Sequence, residues 1–305
     1  MAPRDGLQHE SAFIPTERKI AFINALAETG VREIEAGAFV SPKAVPQLRD
    51  SDEVFRRLTR NPGVVYSALV PNEQGFDRAL AAGANKIAVF TAASESFTRH
   101  NIHASFEESL TRFEPVVKRA HDAKMPVRGY LSTVTHCPYE GRIQPARVAV
   151  VARRLLDLGV EELSLGETLG RAAPPDIRAL LEAVLAVVPA DRIVLHFHDT
   201  YGMAVANAFV AWDEYGITGF DASAGGLGGC PYAPGASGNV ATEDLVSAFK
   251  ASGAVVPVDE GKVVAAVREL AQVIGRPLSS RVGQVWSRGA PSATAGRKPN
   301  QEGAP

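Results

Sequence analysis

The sequence predicts an α/β fold, a (β/α)8 barrel, and three observations carry that prediction. Short apolar runs and amphipathic runs alternate at roughly 25–35 residue spacing, the pattern of repeated βα units. The length of 305 residues suits one such barrel. The acids and histidines able to do chemistry fall at one end of the strand-like runs, where a barrel gathers its active groups.

Seven strand-like runs are present: residues 31–40 (VREIEAGAFV), 64–71 (VVYSALVP), 86–94 (KIAVFTAAS), 127–134 (VRGYLSTV), 161–168 (EELSLGET), 192–199 (RIVLHFHD) and 219–224 (GFDASA). Each is short, and most are rich in β-branched or aromatic residues. A helix is predicted over 17–28, with Ile20, Ile23, Leu26 and Ala27 near helical period, Thr16 as N-cap after Pro15, and Gly30 as stop. A second follows Ser105 over 106–122, with Glu108 completing a capping box. A third runs over 145–158 from Pro145 to Gly159, proline first and glycine last. Helices over 175–188, 203–215 and 241–251 complete the series.

An eighth strand is expected ahead of the helix at 17, where Met1, Ala2 and Pro3 stand. The alternatives are an open seven-stranded sheet or a barrel whose first strand is truncated. A parallel sheet with helices outside favours closure. The chain is therefore expected to start at, or just inside, the end of the barrel's first strand. One barrel domain is expected over 1–286. Residues 287–305, rich in Gly, Pro, Ser, Ala and Arg without periodicity, are expected to be disordered.

Hydrophobic residues make up 46%, enough for a large core, and charge interrupts every apolar run before membrane-spanning length. Met1 leads into Arg4, Asp5 and Glu10, not into the apolar stretch of a signal peptide. Net charge is −2 with no basic block, which argues against nucleic acid as a partner. The two cysteines, Cys137 and Cys230, are too few for a disulfide framework and fit a reducing compartment. Each begins a Cys-Pro-Tyr run, which places both on loops where a thiol can be reached.

His196 and His198 are two apart on a strand, so both imidazoles point to one face and can converge on one ion. A pair of hydrogen-bonded buried histidines is the alternative. Two imidazoles with a carboxylate and an amide oxygen suit Mg²⁺ or Mn²⁺, with Zn²⁺ or Co²⁺ as further choices. In Pro3-Arg4-Asp5-Gly6, the carboxylate can serve a metal and the guanidinium a developing oxyanion, or the two can form a plain surface ion pair. Glu35, an acid in an apolar strand, needs a partner, and Arg4 on the adjacent strand is the natural one. Glu167 ends its strand as a rim acid, and so a candidate catalytic base alongside His196, or as a helix cap. Cys230 closes the run Gly225-Gly226-Leu227-Gly228-Gly229, a loop able to close over a substrate and carry a proton-donating thiol. Cys137, beside His136, is the weaker candidate. Asn239 follows in the same long loop.

The runs Pro3-Arg4-Asp5-Gly6-Leu7-Gln8, Phe39-Val40-Ser41-Pro42-Lys43, Gly129-Tyr130, Cys137-Pro138-Tyr139-Glu140-Gly141 and His196-Phe197-His198-Asp199-Thr200-Tyr201-Gly202, with the loop from Gly225 through Asp244, resemble the 3-hydroxy-3-methylglutaryl-CoA lyase family. The resemblance runs from about residue 3 to about 285. It implies a TIM barrel of the metal-dependent Claisen and retro-Claisen group, with metal ligands Asp5, His196, His198 and Asn239. It implies catalytic roles for Arg4, Cys230 and His196, and an arginine-supporting role for Glu35. Glu167 stands where the family usually has aspartate, and His9 where it usually has asparagine. The implied reaction cleaves 3-hydroxy-3-methylglutaryl-CoA to acetyl-CoA and acetoacetate, in leucine degradation or ketone-body metabolism. The implied partner is an acyl-CoA substrate, and the implied assembly a homodimer. A longer or differently branched 3-hydroxyacyl-CoA, a condensing enzyme of the isopropylmalate synthase type, and a non-catalytic barrel are the alternatives. Composition points to a bacterial cytoplasm, with a mitochondrial matrix as the alternative.

Overall fold

The computed structural model describes residues 1–229, 238–277 and 279–288. Cys230 and, apart from Ser287 and Arg288, the expected C-terminal tail lie outside the described residues. Seven strands form one sheet: β1 (Glu33–Ala38), β2 (Val65–Leu69), β3 (Lys86–Ala92), β4 (Val127–Ser132), β5 (Glu162–Glu167), β6 (Ile193–Phe197) and β7 (Gly219–Asp221). They lie side by side in chain order, and every pairing is parallel. All seven fall inside the runs read from sequence. A one-turn antiparallel pair, His136–Cys137 with Gly141–Arg142, sits apart from the sheet.

The helices α1 (Thr16–Ala27), α2 (Ser51–Arg57), α3 (Glu73–Ala82), α4 (Glu95–Ile102), α5 (Phe106–Asp122), α6 (Pro145–Asp157), α7 (Pro174–Leu185), α8 (Ala204–Tyr215), α9 (Thr242–Ala251), α10 (Glu260–Ile274) and α11 (Arg281–Ser287) connect and follow the strands. α5 shows how sequence becomes packing. Ser105 accepts from Glu108 N and Glu108 accepts from Ser105 N, which satisfies two free donors at the helix start. One face then buries Leu110, Phe113, Val116 and Val117. Each buried side chain of this size contributes roughly 1.5–3 kcal/mol of hydrophobic stabilisation. From the strands, Ile87, Leu131, Leu163 and Leu165 are fully buried.

The edge strands β1 and β7 do not pair with each other among the described residues, so closure by strand pairing is not observed. Between them lies a wide helical turn, Ala2–Gly6, in the place expected for the end of the barrel's first strand. The Met1 ammonium donates to Ala222 O at 3.0 Å, as a strand amide would, and burial pushes that amine below its ordinary value. Below the turn is a cavity of about 740 Å³ lined by Met1, Pro3, Glu33, Glu35, Asp221 and Phe249, among others. Gly6 docks the turn closely on the loop after β7: a Cβ there would stand 2.8 Å from Leu227 Cβ.

Two local expectations need correction. Thr16 is the first residue of α1, not its cap, and its hydroxyl donates to Asp50 Oδ2 at 2.8 Å; Pro15 holds the cap position. Cys137 is not within reach of solvent. Its thiol is buried, with Sγ 2.9 Å from Ser94 Oγ, because the chain after β4 folds back over the start of α4. α2, α3, α4, α10 and α11 have no counterpart in the sequence reading. α2 and α11 are seven residues each, too short to show a period.

Candidate metal centre and active site

β6 sets the site. In β6, His196 is flanked in register by Gly166 of β5 and Asp221 of β7. His198 follows just past the strand end. There the segment 238–240 is stitched to it: Asp199 N donates to Gly238 O at 2.7 Å, and Val240 N to Phe197 O at 3.1 Å. This stitching forms a bridge between His198 and Asn239 and delivers the amide to the rim.

The Ala2–Gly6 turn brings Arg4 and Asp5 to the same place. Asp5 Oδ1 accepts from Arg4 Nη1 at 2.7 Å and from Gln8 Nε2 at 3.1 Å. Its Oδ2 accepts from Asn239 Nδ2 at 2.7 Å, and the same Nδ2 donates to Leu227 O at 3.1 Å. Asp5, His196 and His198 each offer a ligand atom, and these atoms lie within 4.8 Å of one another. The buried Nδ1 of His198 has no hydrogen-bond partner among the described residues, and that of His196 lies 3.5 Å from Asp221 Oδ2. Two imidazoles converging with an ionised carboxylate form a donor set that fits a divalent cation.

The electrostatics agree with that fit. Burial opposes ionisation of Asp5, yet Arg4, the two histidines and the Asn239 hydrogen bond hold its carboxyl far below the usual range. Burial, with His196 adding to it, pushes His198 down to about 4, so its ring is neutral at physiological pH and its lone pair free. Arg4 Nε donates to Glu35 Oε2 at 2.5 Å, the partnership expected from sequence. Burial pushes Glu35 up while Arg4 pulls against it.

The mouth of the site is a cavity of about 510 Å³. Arg4, Asp5, His196 and His198 line its polar end, and Phe90, Phe97 and Phe113 are among its apolar walls. His9, the position departing from the family's usual asparagine, also lines it, its Nε2 3.1 Å from Gln8 Nε2. Glu167 does not line this cavity. Its carboxyl is buried, accepts from Thr135 Oγ1 at 3.0 Å, and is further held by backbone N–H groups of residues 170–172. Burial pushes it above the usual carboxyl range. Glu167 thus ties down the loop after β5. Asp199 is structural too: it accepts from Ala204 N at 3.0 Å and from Arg281 Nη1 at 2.8 Å, joining α8 to α11.

Sequence reasoning assigned no role to several contributors. Tyr130 turns its edge to His196, with ring centroids 6.5 Å apart, and lies 5.4 Å beneath the Arg4 guanidinium. Glu243 accepts from Gly225 N at 3.0 Å and fixes the root of the glycine-rich loop. Asp221 and Ser164 meet at 2.8 Å behind His196. Asp221 had one available signal, an acid interrupting the apolar run Gly219-Phe220-Asp221-Ala222.

Fold and site together define a parallel α/β-barrel protein with a candidate cation site at the C-terminal ends of its strands. The chain belongs to the HMGL-like family, whose model matches residues 1–274. It is 48% identical over 283 residues to the hydroxymethylglutaryl-CoA lyase of Pseudomonas mevalonii, covering 93% of this chain and 94% of that one. The crystal structure of hydroxymethylglutaryl-CoA lyase from Pseudomonas aeruginosa superposes with a TM-score of 0.92 at 45% identity, covering 94% of this chain and 96% of that one. An Acinetobacter baumannii HMG-CoA lyase in complex with coenzyme A and 3-methylmalate gives 0.88 at 36% identity, covering 100% and 96%. The resemblance read from the motifs is borne out over nearly the whole described chain.

Proposed function

We propose that the protein cleaves 3-hydroxy-3-methylglutaryl-CoA to acetyl-CoA and acetoacetate. The observation that carries the proposal is the convergence of Asp5, His196 and His198 at the mouth of one cavity. The family relationship and the coenzyme A complex of a relative support it. Asp5, His196, His198 and Asn239 would hold a divalent cation, Mg²⁺ or Mn²⁺ by donor type. When bound, such an ion supplies Lewis acidity and a template for substrate oxygens.

The protein's own groups divide the remaining work. A base takes the tertiary hydroxyl proton. The candidates are His196, which lines the cavity and can take the proton only while its one lone pair is not on the cation, and Glu167, which does not line it. The C2–C3 bond then breaks. The hydroxyl-bearing carbon becomes the ketone of acetoacetate, and the bonding electrons pass to the thioester fragment as an enolate. Arg4 spends Nε on Glu35 and Nη1 on Asp5, which orients the guanidinium and leaves its remaining donors for the enolate oxygen. Cys230, outside the described residues, gives its thiol proton to carbon and completes acetyl-CoA. Glu35 fixes Arg4, and Glu167 fixes the β5 loop.

No helix among the described residues is long and apolar enough to cross a membrane. The proposed setting is a bacterial cytoplasm, in leucine degradation or ketone-body metabolism, with the chain acting as a homodimer. A substrate panel tests the function. Purified protein with Mg²⁺ is given the methyl-branched hydroxyacyl-CoA, longer-chain analogues, or acetyl-CoA with a 2-oxo acid. Acetoacetate from the first, with slower turnover of the others, is expected. Turnover confined to a longer analogue or to condensation would overturn the proposal.

A further inference from the structure

Behind His196 lies a buried carboxylate that the proposed reaction does not use. Asp221 ends β7, directly beside His196 in register. Its Oδ1 accepts from Arg128 Nη1 at 2.8 Å, and its Oδ2 accepts from Ser164 Oγ at 2.8 Å. That same Oδ2 lies 3.5 Å from His196 Nδ1. The carboxylate is thus gripped from β4 and β5 and presented to the ring from β7.

Arg128 is itself immobilised. It bonds Glu162 through Nε and reaches Glu33 Oε2 at 3.4 Å through Nη2. Lys86 Nζ donates to the same two carboxylates, at 2.9 Å to Glu33 and 2.8 Å to Glu162. Two cations and three carboxylates therefore form one closed network under the site, with Asp221 as the member that touches it. Burial opposes the Asp221 charge, but Arg128, His196 and the Met1 ammonium together outweigh it and hold the carboxyl well below the usual range.

From this arrangement we infer that Asp221 is a positioning residue: it fixes His196 as the tautomer protonated at Nδ1 and so presents the Nε2 lone pair to the cavity. A neutral imidazole carries one N–H, and its location follows the stronger acceptor. Here that acceptor is an anion with a fixed position, and Nδ1 has no other partner among the described residues. The opposite tautomer would set the Nδ1 lone pair against a carboxylate lone pair in a buried place. Carboxylates behind metal-bound histidines act in this way and raise ligand basicity. Ser164→Ala should loosen the grip without removing the anion.

The experiment is ¹⁵N NMR of histidine-labelled, metal-stripped protein at neutral pH, with the His196 signals assigned from a His196→Gln variant. Wild-type His196 should show a protonated Nδ1 and an unprotonated Nε2. Asp221→Asn should lose that bias, and Ser164→Ala should keep it. A wild-type ring protonated at Nε2 overturns the inference even if Asp221→Asn does not fold, and so does a folded Asp221→Asn with an unchanged tautomer. Mn²⁺ titration followed by electron paramagnetic resonance is a second readout, and only this arm rests on the proposed cation site. Affinity should fall roughly 10–100-fold in Asp221→Asn and less in Ser164→Ala. Unchanged Mn²⁺ affinity in a folded Asp221→Asn also counts against the inference. Absence of Mn²⁺ binding in the wild type would sink the cation site while the tautomer measurement still decides the role of Asp221.

Discussion

Asn239 Nδ2 donates to Asp5 Oδ2 at 2.7 Å, across 234 residues of chain. This bond locks the Ala2–Gly6 turn to the loop after β7, so the acid and the histidines share one scaffold. Asp5 sits on no strand of the sheet. Its position depends on this bond, on Arg4 and Gln8, and on the close docking of Gly6.

The bond has a steric condition at Gly228. A Cβ there would lie 2.5 Å from Asn239 Nδ2, on a backbone with φ of +136°. Gly228→Ala should displace the Asn239 amide while leaving every proposed ligand in the sequence. Mn²⁺ affinity should fall at least tenfold with a modest loss of stability, read by titration and by urea unfolding of the same sample.

Glu35→Gln removes the anion facing Arg4 Nε but keeps the volume. Arg4 retains Asp5, so the buried guanidinium is only half compensated. A loss of about 2–3 kcal/mol in urea unfolding is expected, with turnover reduced further because the oxyanion donor loses its orientation. Equal stability of the variant and the wild type would show that Glu35 does not hold Arg4.

His198 gives metal-stripped protein a pH dependence of known sign. Its ring is held at about 4 in the folded chain against 6.5 ordinarily. Between those values the unfolded chain takes up a proton and the folded chain does not. This contribution is therefore intact above pH 6.5 and lost as pH falls toward 4, by roughly 3 kcal/mol in all. The slope of stability against pH in that window should be shallower in His198→Gln, measured by urea unfolding at each pH.

Sequence carried the local parts of this structure well. The Ser105–Glu108 box, the Pro145 start and the His196–His198 spacing follow from short-range rules, and the Arg4–Glu35 pairing from a buried acid's need for a partner, although Arg4 sits on the Ala2–Gly6 turn and not on an adjacent strand. The Asp221–Arg128–Ser164 cluster follows from no such rule, because it is assembled from β4, β5 and β7 only once their register is set. Glu167 was legible as a strand-end acid, but its engagement with Thr135 and the residue 170–172 backbone was not. Cys137 was misplaced because a Cys-Pro-Tyr turn fixes backbone direction and says nothing of what packs over the thiol.

Cys230 and His198 should separate chemistry from cation binding. Cys230→Ser should lower turnover by a factor on the order of 10²–10⁴, the usual worth of a positioned proton donor, with Mn²⁺ affinity nearly unchanged. His198→Ala should lower both. An unchanged rate in Cys230→Ser would remove the proton-donor role.

The central claim is that Asp5, His196 and His198 hold a cation required for cleavage of the methyl-branched hydroxyacyl-CoA. The most direct measurement is acetoacetate formation from that substrate by chelator-stripped protein before and after Mg²⁺ or Mn²⁺ is returned. No acetoacetate before addition and its appearance after is the predicted result. Equal acetoacetate in both samples, or none in either, would contradict the account.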